Sequence, residues 1–177
     1  MNLPNKLTVM RILMVPIVVV LLLTFDGLWA DIAAAACYLI AAITDFFDGK
    51  IARKYGLVTN FGKFMDPLAD KLLVCSTLVA AAALGRTPAW AVIIVIAREF
   101  AISGFRLIAV ERGVVIAADW SGTIKTTLQT IWCMGLLIPV TAAWWKTLTM
   151  IVMVLAVILT VYSFLEYLYK NQQVLKG

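Results

Sequence analysis

Four aspartates between positions 45 and 70 have the residue type and spacing best suited to chemistry in this chain. Asp45 and Asp48 are three residues apart, and Asp66 and Asp70 are four apart. Either spacing puts two side chains on one face of a helix, so two facing helices would present four carboxylates to one point. Carboxylate oxygens favour hard cations such as Mg²⁺ or Mn²⁺. The spacing therefore predicts a metal centre.

The other residue types restrict the chemistry further. The chain has no histidine, which excludes a histidine zinc triad, a Ser-His-Asp hydrolase and an imidazole base. Cys37, Cys75 and Cys133 lie in apolar segments without the paired spacing of a zinc site or a disulfide framework. A carboxylate is therefore the expected acceptor if a proton must be removed.

Small residues and one arginine accompany the aspartates. Gly49, Ala52 and Gly62 would let a ligand approach the backbone closely, although tight helix packing in a membrane uses the same residue types. Arg53 could bind a phosphate in a bidentate manner, and an exposed arginine at a membrane surface has the same pattern. The group as a whole favours a binding site.

The elements that carry these residues are strongly apolar. The chain is 63% hydrophobic and its mean hydropathy is +0.98, far above a soluble domain. Apolar runs occur at 12–25, 32–44, 67–84, 89–97 with 100–110, 124–140 and 148–168. Several are shorter than the ~20 residues that span a bilayer, but each continues into a less apolar end. This pattern predicts an integral membrane bundle of six transmembrane helices, the first retained rather than cleaved as a signal peptide.

Basic residues predict the orientation, because loops rich in Lys and Arg stay in the cytoplasm. With both termini inside, all 15 Lys and Arg residues except Arg86 and Lys146 fall on the cytoplasmic side. The aspartates then lie at the cytoplasmic face. The net charge of +5 indicates anionic lipid rather than nucleic acid as the partner. Neither a linker nor an internal repeat divides the chain, so residues 1–177 are expected to form a single membrane-embedded domain.

The aspartate segment resembles the signature of the CDP-alcohol phosphotransferases. That signature reads Asp, two residues, Asp-Gly, two residues, Ala-Arg, eight residues, Gly, three residues, Asp, three residues, Asp, and every fixed position is filled here. The resemblance implies a six-helix membrane enzyme that transfers a phosphatidyl or similar group from a CDP-linked lipid to an alcohol, releasing CMP. It implies two Mg²⁺ or Mn²⁺ ions held by Asp45, Asp48, Asp66 and Asp70, with Asp70 also the catalytic base. The positions expected to contact the CDP-lipid are Asn5, Thr8, Gly49, Ala52, Arg53, Thr59 and Gly62.

The acceptor is expected to bind in the second half of the chain. Arg98 and Arg106 are eight residues apart, about two helical turns, and Lys125 adds a third charge, which predicts an anion pocket. The alternative is that these basic residues only mark the cytoplasmic end of a helix. However, Arg98 lies inside an apolar run and would need a partner there. Glu99 could hold an arginine in place.

The combination of Ile-Ala-Arg-Glu at 96–99, Ser103, Arg106 and Ser-Gly-Thr-Ile-Lys-Thr at 121–126 is similar to bacterial phosphatidylglycerophosphate synthases, a branch of the family. This resemblance covers most of the chain, from Met1 to about Gln129. That resemblance implies CDP-diacylglycerol and sn-glycerol 3-phosphate as substrates, a homodimer, and a multi-pass protein of the bacterial inner membrane. The expected acceptor-phosphate residues are Arg98, Ser103, Arg106, Lys125 and Thr126. One position departs from the usual pattern, because Thr123 stands where those enzymes often have a lysine.

Other functions stay open at this point. Within the family, inositol phosphate could use the same anion pocket, whereas serine would also need a partner for its ammonium group. A membrane cation transporter could display carboxylates too, but it predicts acidic residues near the bilayer midplane. Solvated helix caps would not explain four aspartates at ligand spacing.

Overall fold

Six α-helices make up the part of the chain that the structure describes. The computed structural model describes the backbone of residues 3–55, 60–111 and 120–172, and the side chains of 6–44, 65–66, 68–109 and 122–172. The helices are α1 (Leu3–Thr24), α2 (Leu28–Tyr55), α3 (Asn60–Ala83), α4 (Ala89–Glu111), α5 (Trp120–Leu137) and α6 (Ala143–Lys170). Each predicted apolar run lies in one helix apart from a few end residues. The predicted all-helical fold is confirmed, and the number of membrane crossings stays a prediction.

The chain divides into two compact units. The first comprises Met1–Thr87 with Cys133–Thr141, and the second comprises Pro88–Trp132 with Ala142–Gly177. Helices α1, α2 and α3 belong to the first unit, α4 and α6 belong to the second, and α5 contributes to both. That residues 1–177 form a single domain stays a prediction.

In the first unit, α1 packs against both α2 and α3. The face of α2 that enters the core carries small side chains at Ala30, Ala34 and Ala41, all at most 1% exposed. Small residues let two helices approach closely, which is how helices associate where burial from water gives no driving force. In the same unit, Thr8 of α1 contacts Asp66 in the first half of α3.

The end of α3 is fixed by a glycine turn. Gly85 has a φ of +68°, a left-handed conformation that costs a residue with a Cβ atom about 1–2 kcal/mol. The amide of Gly85 donates to the carbonyl of Ala82 (3.0 Å), and that of Arg86 donates to Ala81 (2.9 Å). These two bonds form the Schellman arrangement that closes a helix end.

The second unit has α4 packed against α6. Its apolar cluster consists of Ile102, Phe105, Ala109 and Tyr167, with Phe164 and Leu168 at its edge. The rings of Phe105 and Tyr167 meet edge to face, with centroids 5.5 Å apart, which is a favourable aromatic geometry.

The outer surface of these helices is apolar. Leu13, Ile93 and Phe100 are 60%, 63% and 73% exposed, whereas monomeric soluble proteins rarely expose large contiguous apolar patches. Within the described residues, two segments are long and apolar enough to cross a bilayer, Lys6–Thr24 and Ala143–Lys170, and Leu28–Thr44 is a shorter apolar helix. The surface and these segments fit a membrane protein.

Candidate active site

Thr8 and Asp66 connect α1 to α3 in the first unit. Thr8 is fully buried, and its Oγ1 donates a short hydrogen bond to Oδ1 of Asp66. A buried hydroxyl needs such a partner, because leaving it unpaired costs about 1–3 kcal/mol. Thr8 lies inside α1 rather than at its first residue, so it does not cap the helix. Its hydroxyl instead fixes the orientation of a predicted metal-binding carboxylate.

Asp66 and Asp70 lie one turn apart on α3, and both are partly exposed. Their oxygens are hard donors that a cation from solution can reach, so this pair fits Mg²⁺ or Mn²⁺. Asp45 and Asp48 belong to the C-terminal half of α2, but their side chains lie outside the described residues. Among the described side chains, no group of three or more His, Cys, Asp or Glu residues gathers. The four-aspartate centre stays a prediction. The structure describes two of its four carboxylates, those of Asp66 and Asp70.

Most of the predicted CDP-lipid positions lie outside the described side chains. Thr8 is described. The remaining predicted positions lie outside the described side chains, and they are Asn5, Gly49, Ala52, Arg53, Thr59 and Gly62.

A fully buried arginine follows Thr8 on α1. Arg11 is three residues further along, on the same helix face, and is 0% exposed. Burying a guanidinium group is costly without compensating partners. Only this burial distinguishes Arg11 from a basic residue exposed at the membrane surface.

In the second unit, Glu99 connects two of the predicted acceptor residues. Its Oε1 accepts a short bond from Nζ of Lys125 and lies 3.5 Å from Nη1 of Arg98. The Lys125 side chain is 3% exposed and the Glu99 side chain 9%. Buried charged side chains are stable only when they are paired with opposite charges, as Lys125, Glu99 and Arg98 are here. The partner that Arg98 was predicted to need is therefore present, and Glu99 joins α4 to α5.

Helix α6 supplies further contacts to both arginines. Nη2 of Arg98 donates to Oγ of Ser163 (3.1 Å). The guanidinium carbon of Arg106 lies 5.9 Å from the ring centroid of Tyr167, within cation–π range. Arg106 itself is exposed. Sequence reasoning missed Ser163 and Tyr167, because one serine and one tyrosine in an apolar helix carry no recognisable signal.

Two predicted acceptor residues use their hydroxyl protons within their own helices. Ser103 donates to the carbonyl of Glu99 (2.6 Å), and Thr126 donates to the carbonyl of Gly122 (3.0 Å). Both patterns are common for hydroxyl residues inside helices. Thr123, the departure from the usual lysine, is exposed on α5. A role for Ser103 and Thr126 in binding the acceptor stays a prediction.

Comparison with known proteins extends the similarity along nearly the whole chain. A CDP-diacylglycerol–glycerol-3-phosphate 3-phosphatidyltransferase of Bacillus subtilis is 43% identical over 99% of this chain and 97% of its own length. An enzyme of the same name from Salmonella choleraesuis is 37% identical over 94% of this chain and 93% of its own length. A probable phosphatidylglycerophosphate synthase of Mycobacterium tuberculosis is 38% identical over 94% of this chain and 79% of its own length.

The sequence pattern of the CDP-alcohol phosphatidyltransferases matches residues 1–162. This range contains the complete aspartate signature, Thr8 of α1 and the Arg98–Glu99–Lys125 group. The match covers far more than half of the chain and agrees with the resemblance that the spacing of the aspartates indicated. The chain therefore belongs to the CDP-alcohol phosphatidyltransferase family.

Proposed function

We propose that this protein transfers the phosphatidyl group of CDP-diacylglycerol to sn-glycerol 3-phosphate, giving phosphatidylglycerophosphate and CMP. The observation that carries this proposal is the 43% identity, over 99% of the chain, to a relative named for this reaction. The basic group of the second unit supports it, because a phosphorylated acceptor needs cations. Arg98, Arg106 and Lys125 are described there with a single carboxylate, that of Glu99, joining two of them.

The carboxylates of α2 and α3 are proposed to hold two divalent cations. Asp66 and Asp70 have the right donor chemistry, and Asp45 and Asp48 complete the set that the family signature implies. Bound there, Mg²⁺ or Mn²⁺ would neutralise the pyrophosphate and stabilise the departing CMP. Thr8 keeps Asp66 in one orientation by donating to its Oδ1, and such a supporting hydrogen bond typically changes metal affinity by about 10–100-fold.

In the proposed reaction, a hydroxyl oxygen of glycerol 3-phosphate attacks the phosphatidyl phosphorus. A new phosphorus–oxygen bond forms as the bond to the CMP oxygen breaks, and the electron pair leaves with CMP. Asp70 takes the hydroxyl proton, which requires that carboxylate to be ionised before attack. Asp70 is partly exposed, so its proton can pass on to water afterwards.

The acceptor phosphate is proposed to bind the cations of α4 and α5. Arg106 is exposed and able to meet a solute, whereas Arg98 and Lys125 are held beneath the surface by Glu99. Guanidinium groups suit a phosphate because they offer several donors in a planar fork. This arrangement favours glycerol 3-phosphate over serine, which carries no phosphate.

The proposed setting is the bacterial inner membrane. We propose that all six helices cross it, that both termini and the catalytic carboxylates face the cytoplasm, and that the protein acts as a homodimer. The two candidate spans and the exposed apolar side chains support insertion. The placement of Lys and Arg supports the orientation.

The test is CMP release by purified protein in detergent with CDP-diacylglycerol and Mg²⁺ or Mn²⁺. Glycerol 3-phosphate, serine, inositol 1-phosphate and no acceptor are compared. We expect release that depends on glycerol 3-phosphate. Release that depends instead on another acceptor would refute the assignment of the basic group, and no release with any acceptor from folded protein would refute the proposed reaction.

The basic group can be tested separately with Arg106→Ala. Because Arg106 is the exposed cation of this group, we expect the KM for glycerol 3-phosphate to rise about 10-fold or more. The KM for CDP-diacylglycerol should change little. The reverse pattern, with the lipid substrate affected and the acceptor not, would contradict the acceptor assignment.

A further inference from the structure

Helix α6 carries a line of buried polar residues on an otherwise apolar surface. Thr160, Ser163 and Tyr167 are three and four residues apart, which puts them on one helix face. They are 0%, 2% and 5% exposed. Polar groups inside an apolar helix are costly unless they find partners on other helices. Each of these three residues contacts a polar or charged side chain of α4 or α5.

The two hydroxyl residues have the same bonding pattern. Thr160 donates its proton to the carbonyl of Ala156 (2.6 Å) and accepts from Nε2 of Gln129 (3.2 Å). Ser163 donates to the carbonyl of Thr160 (3.2 Å) and accepts from Nη2 of Arg98 (3.1 Å). A hydroxyl has one proton, so these bonds turn the oxygen lone pairs towards α5 and α4. Ser163 is thereby oriented as an acceptor for a guanidinium group.

Arg98 is held from two sides, and one of its donors is left over. Glu99 is near Nη1 and Ser163 accepts from Nη2. The Nε group of Arg98 is buried and has no hydrogen-bond partner among the described residues. Buried donors are normally paired. An unpaired donor in a basic group is therefore suited to bind an incoming anion. The contacts with Glu99 and Ser163 determine where the Arg98 guanidinium group lies.

Arg106 contacts the aromatic ring of Tyr167, whereas Arg98 contacts the hydroxyl group of Ser163. Its guanidinium carbon lies 5.9 Å from the centroid of Tyr167, and Phe105 packs edge-on against the same ring. The Tyr167 hydroxyl is buried without a hydrogen-bond partner in the described part of the chain. Its aromatic ring, rather than its hydroxyl, is thus the part that acts on Arg106.

We propose that α6 positions the two guanidinium groups that receive the acceptor phosphate, with Ser163 acting on Arg98 and Tyr167 on Arg106. This inference rests on the proposed function. It assigns Ser163 and Tyr167 as positioning residues, which touch the arginines and not the substrate. The last helix, which carries none of the predicted site residues, then contributes to acceptor specificity.

The test measures steady-state kinetics with both substrates for matched variants of the full chain. Tyr167→Leu removes the ring and should raise the KM for glycerol 3-phosphate about 3–10-fold. Tyr167→Phe keeps the ring and should behave like the unmodified protein. Tyr162→Leu is the matched control, because Tyr162 lies on the same helix but is 57% exposed. The KM for CDP-diacylglycerol should stay unchanged in all three.

Ser163→Ala tests the other contact. Losing a hydrogen bond to a charged group should raise the KM for glycerol 3-phosphate about 10-fold, with kcat at saturating acceptor nearly unchanged. In an Arg98→Ala background, the same substitution should add no further increase, because its effect acts through Arg98. If Ser163→Ala does not fold, the Tyr167 variants decide the question.

The results separate this inference from the proposed function. If the unmodified protein uses glycerol 3-phosphate and neither Tyr167→Leu nor Ser163→Ala alters its KM, the role of α6 is wrong and the proposed function stands. An equal rise in KM for both substrates would also overturn the inference, since it indicates a general loss of structure. If the unmodified protein does not use glycerol 3-phosphate, both proposals fail.

Discussion

At the scale of single residues, short polar side chains are placed to hold charged ones. Thr8 donates to Asp66 in the first unit, and Ser163 accepts from Arg98 in the second. Glu99 contacts both Lys125 and Arg98. In a region with little water, such contacts decide the direction of a charged group, because leaving it unpaired costs more than in solution. The supporting residues are therefore expected to affect substrate or metal binding without touching either.

Thr8→Val tests this expectation on the carboxylate side. Removing the hydroxyl frees the orientation of Asp66 while nearly keeping the side-chain volume. We expect the Mg²⁺ concentration for half-maximal activity to rise about 10-fold. The measurement is CMP release across a Mg²⁺ titration.

Thr44→Val is the matched control for that titration. Among the described residues, the hydrogen bond of the Thr44 hydroxyl is the one it donates to the carbonyl of Ile40 in its own helix (2.6 Å). It should leave the Mg²⁺ dependence unchanged. An unchanged Mg²⁺ dependence in Thr8→Val as well would show that the Thr8–Asp66 contact does not support a metal site.

At the scale of elements, the apolar runs predicted the helices better than their ends. Apolar runs indicated six helices, and each run lies in one of the helices observed apart from a few end residues. The ends differ because polar residues continue the helices beyond the apolar part, as α2 does from about Thr44 to Tyr55. Hydropathy cannot mark such an end, since a helix in the headgroup region or in water needs no apolar residues.

The turn after α3 gives an element-scale prediction. Gly85→Ala introduces a Cβ atom at a φ of +68°, so we expect a loss of about 1–2 kcal/mol in the free energy of unfolding. The midpoint of thermal unfolding in detergent should fall by several degrees. The measurement is a thermal melt of the purified variant.

Gly104→Ala is the control for this melt. Gly104 lies within α4, has no left-handed φ, and a Cβ atom there would meet nothing within 4 Å. Alanine is the better helix former by about 1 kcal/mol, so the melting midpoint should stay the same or rise. A fall as large as that of Gly85→Ala would contradict the turn argument.

The candidate site was predictable in part, and its residues explain why. The aspartates and the three cations stand out in sequence because charges are rare in apolar segments. Ser163 and Tyr167 do not stand out, because hydroxyl and aromatic residues occur throughout such helices. Only the three-dimensional packing of α6 against α4 identifies them as partners of the arginines.

At the scale of the whole molecule, the distribution of charge determines the proposed orientation. Arg86 is one of two basic residues assigned to the outer side, and its Nη2 forms an ion pair with Asp31 (2.7 Å) while Nη1 donates to the carbonyl of Leu136 (3.3 Å). This pairing neutralises the charge of Arg86. In the proposed orientation, this pairing would accommodate an arginine on the side that the positive-inside rule disfavours.

Cysteine labelling of intact cells tests this orientation. Lys146 and Lys170 are both exposed, at the start and the end of α6. In a background without Cys37, Cys75 and Cys133, we expect Lys146→Cys to react with a membrane-impermeant maleimide from outside. Lys170→Cys should react only after the membrane is made permeable. Equal labelling of both in intact cells would contradict a last helix that crosses the membrane in this direction.

The central claim is the transfer of a phosphatidyl group to glycerol 3-phosphate with Asp70 as the base. The most direct measurement is mass spectrometry of the lipid formed by purified protein from CDP-diacylglycerol and glycerol 3-phosphate with Mg²⁺, for the unmodified chain and for Asp70→Asn. We predict phosphatidylglycerophosphate in an amount equal to the CMP released, and at least about 100-fold slower formation by Asp70→Asn. No such lipid from the folded unmodified protein, or normal turnover by the variant, would contradict the account.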